Sequence, residues 1–202
     1  MPDTWHRAKV GPAEYFDVIG AQQFCVMVSL GLREHHRLLD VGCGCLRGGR
    51  FFIPYLGPDC YYGVEPDREL LDAGIEHELG DFWPRRKWPV FWHFDDFRLS
   101  RIPGLFNYVL AQSILTHAGC NLVPVIFDEA FKVLADGGAF AATWFDGLGD
   151  ATMDGWHSGL RVVYTASTMA RWALAAGFSR LDVLDVRHPM GQTWFVARKG
   201  SG

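Results

Sequence analysis

The sequence predicts an α/β protein: a doubly wound, mostly parallel sheet of about seven strands, with helices on both faces and an antiparallel strand at the C-terminal end. Three observations lead there. Short apolar runs alternate with helix-length segments and are joined by short turns, the pattern of parallel strands whose crossovers are helices. The first run, RLLDV at 37–41, enters the Gly-rich turn GCGCLRGG at 42–49, and in open α/β sheets ligands sit outside the carboxyl ends of the strands. The last two runs are separated only by RHPMGQ, too short for a crossover helix, so they must pair antiparallel.

The elements follow in order. Pro12 precedes AEYFDVIGAQQFCVMVSLGL, where Phe16, Ile19, Phe24, Val28 and Leu32 recur near helical spacing; Pro is tolerated in a first turn. Residues 1–34 are therefore an N-terminal helical extension and 35–198 the core of a single domain. After the strand at 37–41 come a helix at 47–55, stopped by Leu56-Gly57-Pro58, a strand at 60–64 and a helix at about 67–79. A basic-aromatic loop leads to a third strand at 90–94. A fourth follows at 107–111, then a helix at 122–134 stopped by Asp136-Gly137-Gly138, and a fifth strand at 139–144. Residues 145–164 have no clear period. A helix at 168–176 precedes the final strands, 181–186 and 193–197, and the last residues, Lys199 to Gly202, read as a frayed tail.

Composition narrows the function. With 202 residues, 49% of them apolar, the chain buries a full core. A formal charge of −4, with basic residues clustered only at Arg85-Arg86-Lys87, disfavours nucleic acid as a partner. Trp83, Trp88 and Trp92 around that cluster read as an ordinary surface loop rather than a base-stacking platform. No apolar run is long enough to span a membrane, and MPDTWHRAKV lacks a signal peptide's apolar core. A cytoplasmic protein is expected, without membrane partners. Five cysteines without a repeated C-x-x-C argue against a disulfide framework or a four-cysteine zinc site.

The Gly-rich turn calls for a nucleotide-like ligand. A dinucleotide fingerprint would place its third Gly where Arg47 stands, which weakens the pyrophosphate reading. Glu65 ends the second strand, where a carboxylate accepts hydrogen bonds from ribose hydroxyls. Asp95 and Asp96 follow the third strand and suit an adenine amino group.

Taken together, LLDVGCG, YYGVEP, HFDDF, FNYVLAQSILTH and LADGGAFAATW, closed by an antiparallel pair, resemble the class I S-adenosylmethionine-dependent methyltransferases over residues 35–198. GLREHHRLLDVGCGCLRGG with YYGVEP resembles a bacterial subgroup of them. The resemblance implies a Rossmann-like fold and S-adenosylmethionine as cofactor. It further implies that Gly42 and Gly44 approach the methionine part, that Asp40 supports the turn and the ammonium region, and that Glu65 holds the ribose. Asp96 or Asp95 would contact adenine, with Phe97 or the Leu115 region packing on the ring. The carbonyl of Ala111 or Gln112 would accept from the cofactor's ammonium, and Arg47 would pair with its carboxylate. Asn107 departs from the Asp that many relatives carry at the start of the fourth strand.

Catalysis needs an unprotonated nucleophile, and for a hydroxyl acceptor a His is the natural base. Three histidines fall in loops that share one edge if the sixth strand runs parallel to the first five: His117, His157 and His188. His117 is the leading candidate. The segment Gln112 to His117 holds no acid, so no metal requirement is expected. The stretch 145–164, with Trp156, His157 and Tyr164, reads as a substrate cover. The expected activity is methyl transfer to the oxygen or nitrogen of a small molecule. A nicotinamide-dependent oxidoreductase and a non-catalytic cofactor-binding partner are the rival readings.

Overall fold

The computed structural model describes residues 4–200; Ser201 and Gly202, part of the expected frayed tail, lie outside the described residues. The chain forms two compact units, divided between Asp95 and Asp96.

The first unit contains α1 (Trp5–Lys9), a 3₁₀ turn (Ala13–Tyr15), α2 (Phe16–Ser29), β1 (Leu38–Val41), α3 (Gly49–Tyr55) and β2 (Tyr61–Val64). Next come α4 (Arg68–Gly74), a π-helical turn (Ile75–Leu79), α5 (Phe82–Lys87) and β3 (Val90–Trp92). β2 lies between β1 and β3 and is parallel to both, with Leu38 opposite Tyr61 and Tyr62 opposite Val90. Every residue of β1 and β2 is buried, Asp40 included, which is why these strands do not alternate apolar and polar residues. α4 starts at Asp67, whose side chain accepts the Leu70 N–H at 3.0 Å, satisfying one of the free amides of a helix start. Its last residue is Gly74 because a Cβ there would come within 2.5 Å of the Cys45 backbone. The helix is thus pressed onto the Gly-rich turn.

The second unit contains a 3₁₀ turn (Leu99–Arg101), β4 (Phe106–Ala111), α6 (Leu122–Val133), β5 (Leu134–Asp146), β6 (Val163–Tyr164), α7 (Ala166–Ala175), β7 (Arg180–Leu184) and β8 (Thr193–Arg198). β4 and β5 are parallel; β8 is antiparallel to both β5 and β7. It follows that β7 runs parallel to β5, and the turns leaving β4, β5 and β7 open at one edge. Phe127 is the hub of the core, edge-on to Phe140 at 5.5 Å and stacked on Phe195 at 5.6 Å.

The mostly parallel α/β architecture with an antiparallel C-terminal strand is present, with three differences. There are eight strands among the described residues rather than about seven, because 145–164 is not free of regular structure: its last two residues form β6 beside Phe145 and Asp146 of β5. A two-residue strand is too short to show a period. The expected basic-aromatic loop is α5, whose Pro84 lies early enough in the helix to be tolerated, while Trp88 ends it in a left-handed conformation (φ 47°). β5 begins at Leu134 and so contains Asp136-Gly137-Gly138, the expected helix stop; the register against β4 shifts here, between Phe106 and Tyr108. No helix of the described residues is long and apolar enough to cross a membrane.

Candidate functional site

Leaving β1, the backbone takes positive φ at Gly42 (71°) and Gly44 (56°), a region open to Gly at little cost. The Val64 carbonyl accepts from both Gly42 N–H (2.8 Å) and Cys43 N–H (3.1 Å), tying the turn to the end of β2. The next residue, Glu65, completes the brace. Its Oε2 accepts the Gly44 N–H at 3.0 Å and its Oε1 the Asp67 N–H at 2.9 Å. Burial pushes the Glu65 carboxyl above the usual carboxylate range, against the pull of these two donors. Each carboxylate oxygen keeps a further lone pair.

Leu46 is fully buried and also left-handed, at φ 62°. A side chain in this region costs about 1–2 kcal/mol, and nothing in the residue type announces it; sequence reasoning missed it.

Asp40 does not reach the amides of the turn. It accepts from the Tyr61 hydroxyl at 2.8 Å, and burial, only partly offset by that bond and by Arg47, pushes its carboxyl up to about 6. An unfolded Asp titrates near 3.9, so the folded chain holds this proton more tightly. The Asp40 contribution to stability is therefore present below about pH 4 and lost as pH rises to about 6. Asp40→Asn should flatten that slope in thermal melts recorded between pH 4 and 7, relative to the parent.

Arg47 is 7% exposed, and its Nη1 donates to the Val10 carbonyl at 2.6 Å. Burial lowers its pKa to about 10, which leaves it charged at neutral pH. In this arrangement the guanidinium holds the N-terminal segment. Cys45 Sγ donates to the His6 carbonyl at 3.3 Å, and a Cβ on Gly44 would come within 2.7 Å of Val10 Cγ1. Trp5 and Val10 pack on Phe16, Cys45 and Leu70. Beyond them, Glu78 accepts from His6 Nε2 (2.7 Å), Arg7 Nε (2.6 Å) and Arg7 Nη2 (2.8 Å). The sequence showed an N-terminal extension but not that it closes onto the Gly turn, since contacts separated by 72 positions leave no local periodicity.

In the second unit, Ala111 ends β4 fully buried and Gln112 follows. Ser113 is left-handed (φ 62°), its N–H donating to Thr143 Oγ1 at 2.8 Å. Gln192 gathers the group, its Oε1 accepting from Gln112 (3.2 Å) and Thr143 (2.6 Å) and its amide donating to Ser113 Oγ. Asp95 and Asp96 are both exposed. The Asp96 carboxylate is engaged by Arg101 Nη2 at 2.5 Å and by the Arg98 N–H at 3.2 Å.

Hydrogen bonding separates the three histidines. His117 Nδ1 lies 3.2 Å from the carbonyls of both His157 and Leu160. Carbonyls only accept, so Nδ1 carries the proton, and the neutral ring has its lone pair on Nε2. His188 differs: its Nδ1 accepts the Met190 N–H at 3.1 Å and its Nε2 lies 3.3 Å from the Gln112 side-chain amide, so both ring nitrogens are engaged. His188, buried at the turn after β7, lines a pocket of about 400 Å³ with Arg187, Pro189 and Gln192. His157 Nε2 donates to the Asp154 carbonyl at 3.0 Å, a local contact in an exposed loop.

The stretch 145–164 is tied down rather than loose. Val162 N–H donates to the Thr116 carbonyl (2.9 Å), His157 N–H to the His117 carbonyl (2.9 Å) and Gly119 N–H to the Gly155 carbonyl (2.7 Å). Trp156 bridges Ala118. The Trp156 ring lies 5.6 Å from His117 and 5.9 Å from Phe97, which adopts φ 56°.

No family model and no curated protein matches the chain; solved structures do. Magnesium protoporphyrin IX methyltransferase (ChlM) from Synechocystis PCC 6803 with bound SAH aligns at a TM-score of 0.69 and 13% identity, over 96% of this chain and 92% of that one. A SAM-dependent methyltransferase from Methanosarcina mazei aligns at 0.65 and 15%, over 87% and 98%. The [4+2]-cyclase SpnF aligns at 0.65 and 18%, over 90% and 82%. These likenesses establish the fold, which hosts more than one reaction.

Proposed function

We propose that this protein binds S-adenosylmethionine and transfers its methyl group to a small-molecule acceptor. The observation that carries the reading is the Gly42–Gly44 turn braced by Glu65. The left-handed glycines at the end of β1 turn the backbone back at the ligand edge of the strand, with Val10 packed beside Gly44, and a carboxylate with two unused lone pairs stands at the end of β2, where ribose hydroxyls are held in this class of sheet. The similarity to structures solved with SAM or SAH bound supports the same ligand. All five cysteines are free thiols, which suits a reducing cytoplasm; neither nucleic acid nor membrane is part of the reading.

When bound, the cofactor supplies a methyl group on a positively charged sulfur; the acceptor's lone pair forms the new bond to carbon while the carbon–sulfur pair stays on sulfur. The residues have separate tasks. Glu65 holds the ribose, Asp95 or Asp96 the adenine, and the Ala111 or Gln112 carbonyl the ammonium. Phe97 or the Leu115 region packs on the adenine ring, and Arg47, which gives one Nη1–H to the Val10 carbonyl, has further N–H groups to pair with the carboxylate. In-line displacement demands alignment more than acid–base power, but a hydroxyl acceptor must lose its proton, and His117 Nε2 is in the right tautomer to take it.

Calorimetry tests the cofactor. SAM and SAH should bind and NAD should not, and Glu65→Ala should weaken SAH at least tenfold, as expected for losing hydrogen bonds of about 1.5–3 kcal/mol each to a charged group. Unchanged affinity in the variant would remove the ribose assignment, and equal binding of NAD the whole reading.

A further inference from the structure

We propose that Trp156, Phe97 and His117 form the acceptor seat, and that the acceptor is a planar aromatic compound carrying a hydroxyl, its ring stacked on Trp156 and its O–H donating to His117 Nε2. The inference deepens the methyl-transfer reading and rests on it.

Three independent observations carry it. Trp156 is 46% exposed, and the hydrogen bonds of its neighbours Gly155 and His157 hold its backbone beside Ala118. A large ring presented rigidly to solvent offers a stacking surface without an ordering cost on binding. Second, Phe97 is held left-handed, a conformation unfavourable for a bulky residue, and its ring supports one edge of the indole at 5.9 Å. Third, the imidazole beside that indole is fixed by two carbonyls with its lone pair on Nε2. Its ring centroid lies 5.6 Å from that of the indole, within the range of paired aromatic rings.

An aliphatic alcohol would use the imidazole but not the indole. An amine could use the indole face as a cation but, when protonated, would present no lone pair to the methyl group. Of these three classes, the aromatic hydroxyl uses both features at once. The seat accepts the hydroxyl proton at His117 Nε2, which becomes the doubly protonated imidazolium, and the phenolate oxygen is left as the nucleophile.

The test uses the full chain loaded with SAH, with 2-naphthol as probe and cyclohexanol and benzylamine as comparisons. The indole N–H resonance of Trp156 is assigned by its absence in Trp156→Phe. Titration with 2-naphthol should shift that resonance while the other tryptophans stay in place. Trp156→Ala should weaken 2-naphthol about tenfold or more, and Trp156→Phe, which keeps a ring, clearly less. His117→Asn should weaken 2-naphthol but not naphthalene. The proposal is overturned if Trp156 does not respond, if cyclohexanol or benzylamine binds as well as 2-naphthol, or if Trp156→Ala leaves affinity unchanged. Calorimetry of SAH on the same sample separates the two readings. Naphthol binding without SAH binding removes methyl transfer and leaves an aromatic seat, whereas SAH binding without naphthol binding does the reverse.

Discussion

Replacing His117 with asparagine should lower kcat by about 10²–10⁴-fold, the usual worth of a positioned proton acceptor, while leaving SAH affinity nearly intact. The substitution is apt because the side-chain amide of Asn can still donate to the carbonyls of His157 and Leu160, which now receive Nδ1–H. The fold of the 145–164 segment is thereby preserved, and only the Nε2 lone pair is lost. His157→Asn is the matching control. Its ring also keeps one lone pair, on Nδ1, but its hydrogen bond to Asp154 is local and its loop exposed. Normal turnover by His117→Asn with loss in His157→Asn would move the base into the covering segment. No effect from either would mean an acceptor, such as an amine or thiol, that needs no base.

The sequence and the structure agree where physics is local. β1, β2, β4 and β8 are mostly buried and mostly apolar, and their strand character is legible in composition. The antiparallel ending follows from a linker too short for a helix. What was hidden is what depends on distant pairing. β6 exists only because Val163 and Tyr164 meet Phe145 and Asp146, with the Trp144 indole N–H donating to the Tyr164 carbonyl and the Tyr164 hydroxyl to the Ala118 carbonyl. Two residues carry no pattern of their own. The candidate site divides the same way. Gly42, Gly44 and Glu65 were legible because a close backbone approach and a carboxylate at a strand end have fixed sequence positions. The contact of Arg47 with the N-terminal segment was not, since it is made to the Val10 carbonyl, a group every residue possesses. Nor could the sequence rank the three histidines, because tautomers are set by which backbone atoms fold against each ring.

Glu78→Ala should destabilise the chain by about 2–4 kcal/mol, somewhat below the 3–5 kcal/mol expected for breaking a fully buried pair, because Arg7 and Arg50 reach water and can rehydrate. The Glu78 side chain is 3% exposed and serves His6, Arg7 and, at 3.5 Å, Arg50 Nη1. His6 is 1% exposed and sits stacked on His77 at 5.3 Å, so its Nε2 would be left facing a cavity. Burial alone would raise the Glu78 carboxyl, but the hydrogen bonds from Arg7 and His6, with the charges of Arg7 and Arg50, prevail and hold it below the usual range. The sign follows: with the folded value below the unfolded one, about 4.3, this stabilisation is present above that pH and lost as pH falls through the folded value. Parent and variant should therefore differ most in denaturant titrations near pH 7 and converge in acid, opposite to the Asp40 slope. The loss should also be local. Helix α1 has only five residues, too few to persist alone, so without its anchor the segment should leave Cys45 and Val10 should leave Gly44. Trypsin should then cut after Arg7 and Lys9 faster in the variant than in the parent, and Glu78→Gln, which keeps a neutral acceptor, should fall between them. Equal cleavage and equal stability in all three proteins would mean that Arg47 and the packing of Trp5 hold the segment on the Gly turn by themselves.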